Sequence, residues 1–138
     1  MVGIRIKSDR SRGGLVRTVS YEDVCMRDVT NPIVLTSMYT THAGTLLPVY
    51  RDILLKDVRS LTPGRLTFLG VDAEHKIGVT LDNVMVDGLR AGDVRTENAE
   101  VVRTRGGGRV AGAAVAALRD GDFSGYGNGR AHRSGGLA

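Results

Sequence analysis

Apolar side chains in the first hundred residues come in short alternating runs and not in helical stripes. Three nine-residue units, 21–29, 50–58 and 81–89, align without gaps. Their third place holds Asp23, Asp52 and Asn83, and their fourth Val24, Ile53 and Val84. Their sixth holds Met26, Leu55 and Val86, and their ninth Val29, Val58 and Leu89. Places four and six are apolar and alternate with polar or variable positions, which is the period of a strand. An Asp or Asn ahead of each run suits a tight corner, because its side chain bonds the local backbone and it tolerates a left-handed conformation. A second series of short runs, Ile4-Arg5-Ile6, Ile33-Val34-Leu35 and Leu66-Thr67-Phe68, recurs on a similar interval. Turn signals at Asn31-Pro32 and Pro63-Gly64 separate the two series.

The units start 29 and 31 residues apart. Short strands, corner residues and this long period predict an all-β solenoid, a right-handed single-stranded parallel β-helix of about three rungs in which like aliphatic side chains stack. The rival solenoid is a leucine-rich repeat, whose L-x-x-L-x-L signature is absent. Val, Ile and Thr are frequent and no apolar stripe at three-four spacing persists, so a helical fold is not expected.

Composition narrows the class. The chain has 138 residues and a formal charge of +4. No run of apolar residues is long enough to span a membrane as a helix. Cys25 has no partner for an internal disulfide, and the first residues lack the apolar core of a secretory leader. As written, a cytoplasmic chain is expected. The charge is unevenly placed: residues 1–103 hold 14 Lys and Arg against 13 Asp and Glu, whereas residues 104–138 hold five Arg against Asp120 and Asp122. The basic character therefore belongs to the end of the chain and says little about a folded basic face.

Against this frame stand the stretches GIRIK at 3–7 and SDRSRGGLVRTVSYEDVCMRDVTNPIVL at 8–35, followed by Tyr39. From about Gly3 to Val102 the chain resembles the C-terminal part of the polygalacturonases, glycoside hydrolase family 28, and most of all their bacterial branch. The resemblance implies a pectin-lyase-like β-helix, a secreted family, and an alpha-1,4-linked polygalacturonate (pectin) substrate hydrolysed with inversion. Arg5 and Lys7, two apart in a strand, project from one face while Ile4 and Ile6 point inward. Two cations suit a polymer with a carboxylate on every ring, Arg as a bidentate fork and Lys as a point charge. By the resemblance these two bind the substrate carboxylate beside the scissile bond, and Tyr39, one rung on, packs on or hydrogen-bonds a sugar ring. Read without the resemblance, Arg5 and Lys7 are the solvated face of an edge strand.

The family's catalytic Asp residues, in N-T-D and D-D motifs, and its supporting His in G-H-G precede R-I-K; none of these motifs occurs here. Inversion needs one carboxyl as acid and another as base, so no catalytic residue is assigned and this chain alone is expected to be inactive. No cofactor or metal is expected: His42, His75 and His132 lack further ligands at suitable spacing. Asp9, Arg10 and Arg12 are expected to shape the turn after the triplet, with Arg10 in reach of a second sugar carboxylate. Cys25, with no accompanying His, is a buried or edge filler.

From about Thr104 the repeat stops, and ten Gly, a run of Ala and no Lys follow. Residues 104–138 are expected to be a disordered low-complexity tail or a stretch translated out of frame, with at most a short helix over Val110–Leu118. Two non-catalytic alternatives follow: a β-helix that binds acidic polysaccharide, and an RGG-like nucleic-acid binder whose Phe123 and Tyr126 stack on bases.

Overall fold

The computed structural model describes residues 1–41 and 43–105. The expectations for His42 and for the segment after residue 105, including Asp120, Asp122, Phe123, Tyr126, His132 and the helix over 110–118, lie outside the described residues.

Among the described residues eight strands follow one another: β1 (Val2–Lys7), β2 (Leu15–Met26), β3 (Asn31–Thr36), β4 (Val49–Ser60), β5 (Leu66–Leu69), β6 (Ile77–Val86), β7 (Val94–Glu97) and β8 (Ala99–Arg105). They form two sheets, β1-β3-β5-β7 and β2-β4-β6-β8. Each of β1 to β6 pairs in parallel with the strand two places on in the chain. That alternation is a coil: the chain visits one sheet, turns, visits the other, and returns one layer higher. The parallel β-helix is borne out, with four layers where the repeat predicts about three. The fourth is β7 and β8, and β8 carries the fold two residues past the boundary expected at 103.

Equivalent side chains stack in columns. In the first sheet Ile4, Ile33, Leu66 and Val94 form one column, and Ile6, Leu35, Phe68 and Thr96 the next. In the second, Val19, Ile53, Val79 and Val101 stack, as do Val24, Val58 and Val84. This interior is nearly all branched aliphatic, which fits both the pleat and the stacking. The first layer is less covered than the second. Val16, Val19, Tyr21 and Val24 are half-buried, whereas their partners Tyr50, Ile53, Leu55 and Val58 are buried.

The corners are where Asp and Asn were expected, and the backbone there is left-handed at Asp23, Asp52 and Asn83. The gap-free alignment of the three units is nevertheless corrected in its middle member. Lys56 faces Glu22, 34 residues earlier, and Asp82, 26 residues later. Hence Asp57, not Asp52, stands between Asp23 and Asn83, and Asn83 Nδ2 donates to Asp57 Oδ1 at 2.8 Å. The outer units are correctly aligned with each other, and the middle one is displaced by five. Unequal loops cause the displacement: residues 37–48 join β3 to β4, whereas only 70–76 join β5 to β6.

Within a coil the corners recur every five residues, at Thr18, Asp23 and Asp28 and again at Asp52 and Asp57. Thr18 departs from the chemistry of the others. It is β-branched, exposed and held at φ 55°, a conformation that costs an L-residue roughly 1–2 kcal/mol and that Asn tolerates better. Thr18→Asn is expected to stabilise the chain by about 1 kcal/mol. A urea-denaturation midpoint that does not rise would count against this assignment of strain.

Candidate functional site

The site is built on the end of β1. Alternation along this strand leaves Arg5 and Lys7 exposed while Ile4 is buried and Ile6 half-buried. On the same outer face the neighbouring layers present Val34 and Thr67 beside Arg5. No described carboxylate forms an ion pair with Arg5 or Lys7.

Tyr39 lies three residues beyond β3. The structure brings it to both cations: the Lys7 ammonium is 3.9 Å from the centroid of its ring, and the Arg5 guanidinium carbon 5.7 Å. Both are within the reach of a cation–π contact. The three residues expected at the site therefore converge, although 32 residues separate Lys7 from Tyr39. Tyr39 is 47% exposed, so much of its side chain remains open to a ligand.

Beside them is a small cavity of about 80 Å³ lined by Lys7, Ser8, Asp9, Arg12, Tyr39 and Thr40. Arg12, not Arg10, contributes the further cation to it; Arg10 is exposed and lies outside its lining. Asp9 does shape the turn, as expected. Its Oδ1 accepts from the Ser11 amide at 2.9 Å and the Ser11 hydroxyl at 2.5 Å, and its backbone carbonyl accepts from the Arg12 and Gly13 amides. Its Oδ2 accepts from Thr40 Oγ1 at 2.9 Å, 31 residues away. Nothing in local sequence signals that last bond. An Asp-x-Ser turn is legible, but its partner in the next layer is not.

The Ser11 hydroxyl, then that of Thr40, hold the Asp9 carboxyl well below the ordinary value of 3.8, at about 2; burial opposes them, and the Ser11 amide and the Arg12 charge assist. A carboxyl lowered on folding stabilises above its unfolded pKa and loses that contribution as pH falls through the folded value. The melting temperature of the native chain is thus expected to exceed that of Asp9→Asn at pH 5, with the gap closing between pH 4 and pH 2. A gap independent of pH would contradict the assignment.

Beneath the site, Tyr50 is buried, and its hydroxyl donates to the Thr36 carbonyl at 2.9 Å, where β3 ends. Burial, and secondarily the Asp9 charge, push its phenol above the ordinary range. Alignment with Tyr21 hid this role, since Tyr50 faces Val16. Of the remaining candidates, Cys25 points outward and is exposed, in register with Arg59. His75 sits in the loop before β6, with Nδ1 2.8 Å from Asp72 Oδ1. Among the described residues, no three His, Cys, Asp or Glu side chains gather as a metal site would require.

The family model for glycosyl hydrolases family 28 matches residues 1–105. A polygalacturonase from Ralstonia nicotianae is 40% identical over 96 residues, which cover 64% of this chain and 18% of that protein. An endo-polygalacturonase from Pectobacterium carotovorum subsp. carotovorum is 42% identical over 82 residues, 59% of this chain and 20% of the relative. The chain thus spans about a fifth of the length of the curated relatives it matches. No solved structure matches it.

Proposed function

The chain belongs to glycosyl hydrolases family 28, and on that premise we propose that Arg5, Lys7 and Tyr39 form the galacturonate-binding wall of a pectin-cleft β-helix. The observation that carries the reading is the convergence of two cations, neither in an ion pair with a described carboxylate, on one exposed aromatic ring. Such a patch offers a fork and a point charge to sugar carboxylates and a ring face to the sugar itself. The relatives' name, polygalacturonase, supplies the polymer: a chain of acidic sugars.

Binding here is uncoupled from cleavage. Inverting hydrolysis needs two carboxyl groups on opposite sides of the scissile bond, and the N-T-D, D-D and G-H-G motifs are not among the 138 residues. Asp9 is the single carboxylate lining the described cavity, and hydroxyl donors occupy both its oxygens. The test is retention on immobilised polygalacturonate with a parallel assay for reducing ends. Salt-sensitive retention without new reducing ends is expected. Release of reducing ends would overturn the non-catalytic part, and absence of retention at low salt would overturn the whole reading.

A further inference from the structure

The cavity beside Tyr39 contains a feature that a site for anionic sugars should avoid. Asp9 is a carboxylate, ionised well into acid and only 3% exposed, on the wall of a cavity shared with Lys7 and Tyr39. A negative charge at this place weakens binding of a polyanion unless it serves another end. Its hydrogen bonds show the end it serves. One oxygen closes the turn that follows Lys7 through Ser11, and the other reaches across to Thr40, the residue after Tyr39.

We propose that Asp9 is a positioning residue that fixes the Tyr39 ring over the Lys7 ammonium by anchoring Thr40, and that this aromatic–cation geometry sets the affinity for galacturonate. The last clause rests on the function proposed above. The first does not.

Tyr39 leaves the sheet in a segment tied back to the turn after β1. The Met38 amide bonds Thr36 Oγ1, and the Tyr39 amide donates to the Ser8 carbonyl at 3.0 Å. That amide bond ties the N-terminal side of Tyr39 to the turn after β1. The Asp9–Thr40 bond ties its C-terminal side to the same turn, so backbone rotation on both sides of the residue is constrained. With the second tie cut, the ring can swing away while the amide bond persists. A charge-assisted bond holds better than a neutral one at such a place.

The experiment uses the full chain in three variants. Asp9→Ala removes the clamp, Thr40→Val removes the cross-layer donor, and Thr40→Ser retains it. The first readout is the ring-current displacement of the Lys7 ε-methylene protons in an NMR spectrum, which reports the ring over the side chain without any sugar present. It should collapse in Asp9→Ala and Thr40→Val and persist in Thr40→Ser, with the Leu35 and Ile33 methyl shifts unmoved. The second readout is binding of trigalacturonate. Removing a negative charge by itself would strengthen binding, whereas loss of positioning weakens it, by about tenfold for one such bond. An unchanged Lys7 shift in Thr40→Val would overturn the proposal, and so would tighter binding by Asp9→Ala with the shift retained. Collapse of the shift in Asp9→Ala and Thr40→Val, together with a native chain that does not bind trigalacturonate, would sustain the clamp and overturn its role in affinity, because the failure would then lie in the functional reading.

Discussion

Phe68→Ala is expected to cost about 3–5 kcal/mol, the usual range for removing a core aromatic, and to leave the chain close to unfolded. Phe68 is fully buried between Leu35 and Thr96 in the column that begins at Ile6. In a stacked coil each side chain packs mainly against the same place in the layers above and below. The cavity left by a missing ring is therefore bounded by β-ladders that cannot move inward without breaking hydrogen bonds. Collapse is restricted, which places the cost toward the upper end of the range. A fold of this size has roughly 5–15 kcal/mol in all, so the loss takes a large share of it. Urea denaturation followed by circular dichroism decides the matter; a loss under about 1 kcal/mol would mean the column is loosely packed.

The second large effect concerns ligand and not fold. Arg5→Ala combined with Lys7→Ala is expected to abolish retention on polygalacturonate. A hydrogen bond to a charged group contributes about 1.5–3 kcal/mol, so losing two weakens binding by about 10²- to 10⁴-fold. Both side chains are exposed on β1, so the fold should be unaffected. The melting temperature is expected to stay where it was. Arg17→Ala, an exposed cation on β2, removes one positive charge at a place that does not line the cavity by Tyr39 and serves as the control for nonspecific attraction. If it weakens retention as much as the double substitution does, net charge and not the site explains binding.

Legibility in the sequence followed the strength of local alternation. The runs around Ile4, Ile33 and Leu66 stack as their spacing indicates, because each has two apolar residues flanking one outward position. The fourth layer was not legible. β7 contributes one half-buried apolar residue, Val94, and β8 places Arg103, fully buried, in register with Leu81. A charged residue at an inward place defeats any hydrophobic pattern. At the site, alternation alone pointed Arg5 and Lys7 outward, but nothing local could bring Tyr39 to them. That required the family resemblance, and the Asp9–Thr40 bond required coordinates.

The five-residue interval between corners has a consequence for how the chain folds. If β4 slides by five residues along β2, Asp52 takes the corner opposite Asp23, Ile53 meets Val24 and Leu55 meets Met26. Every local requirement is met: the left-handed corner, the inward aliphatic side chains and the parallel ladder. The corner spacing and the inward aliphatic pattern alone therefore do not choose between the two registers, a local ambiguity that long-range contacts must resolve. What separates them is long-range. A slip of five carries the Tyr50 hydroxyl roughly 16 Å along the strand, away from the Thr36 carbonyl it reaches in the native coil. That buried bond and the one from the Asp28 amide to the Thr62 hydroxyl both distinguish the native register from the slipped one, and Tyr50→Phe is expected to refold more slowly than the native chain when followed by circular dichroism.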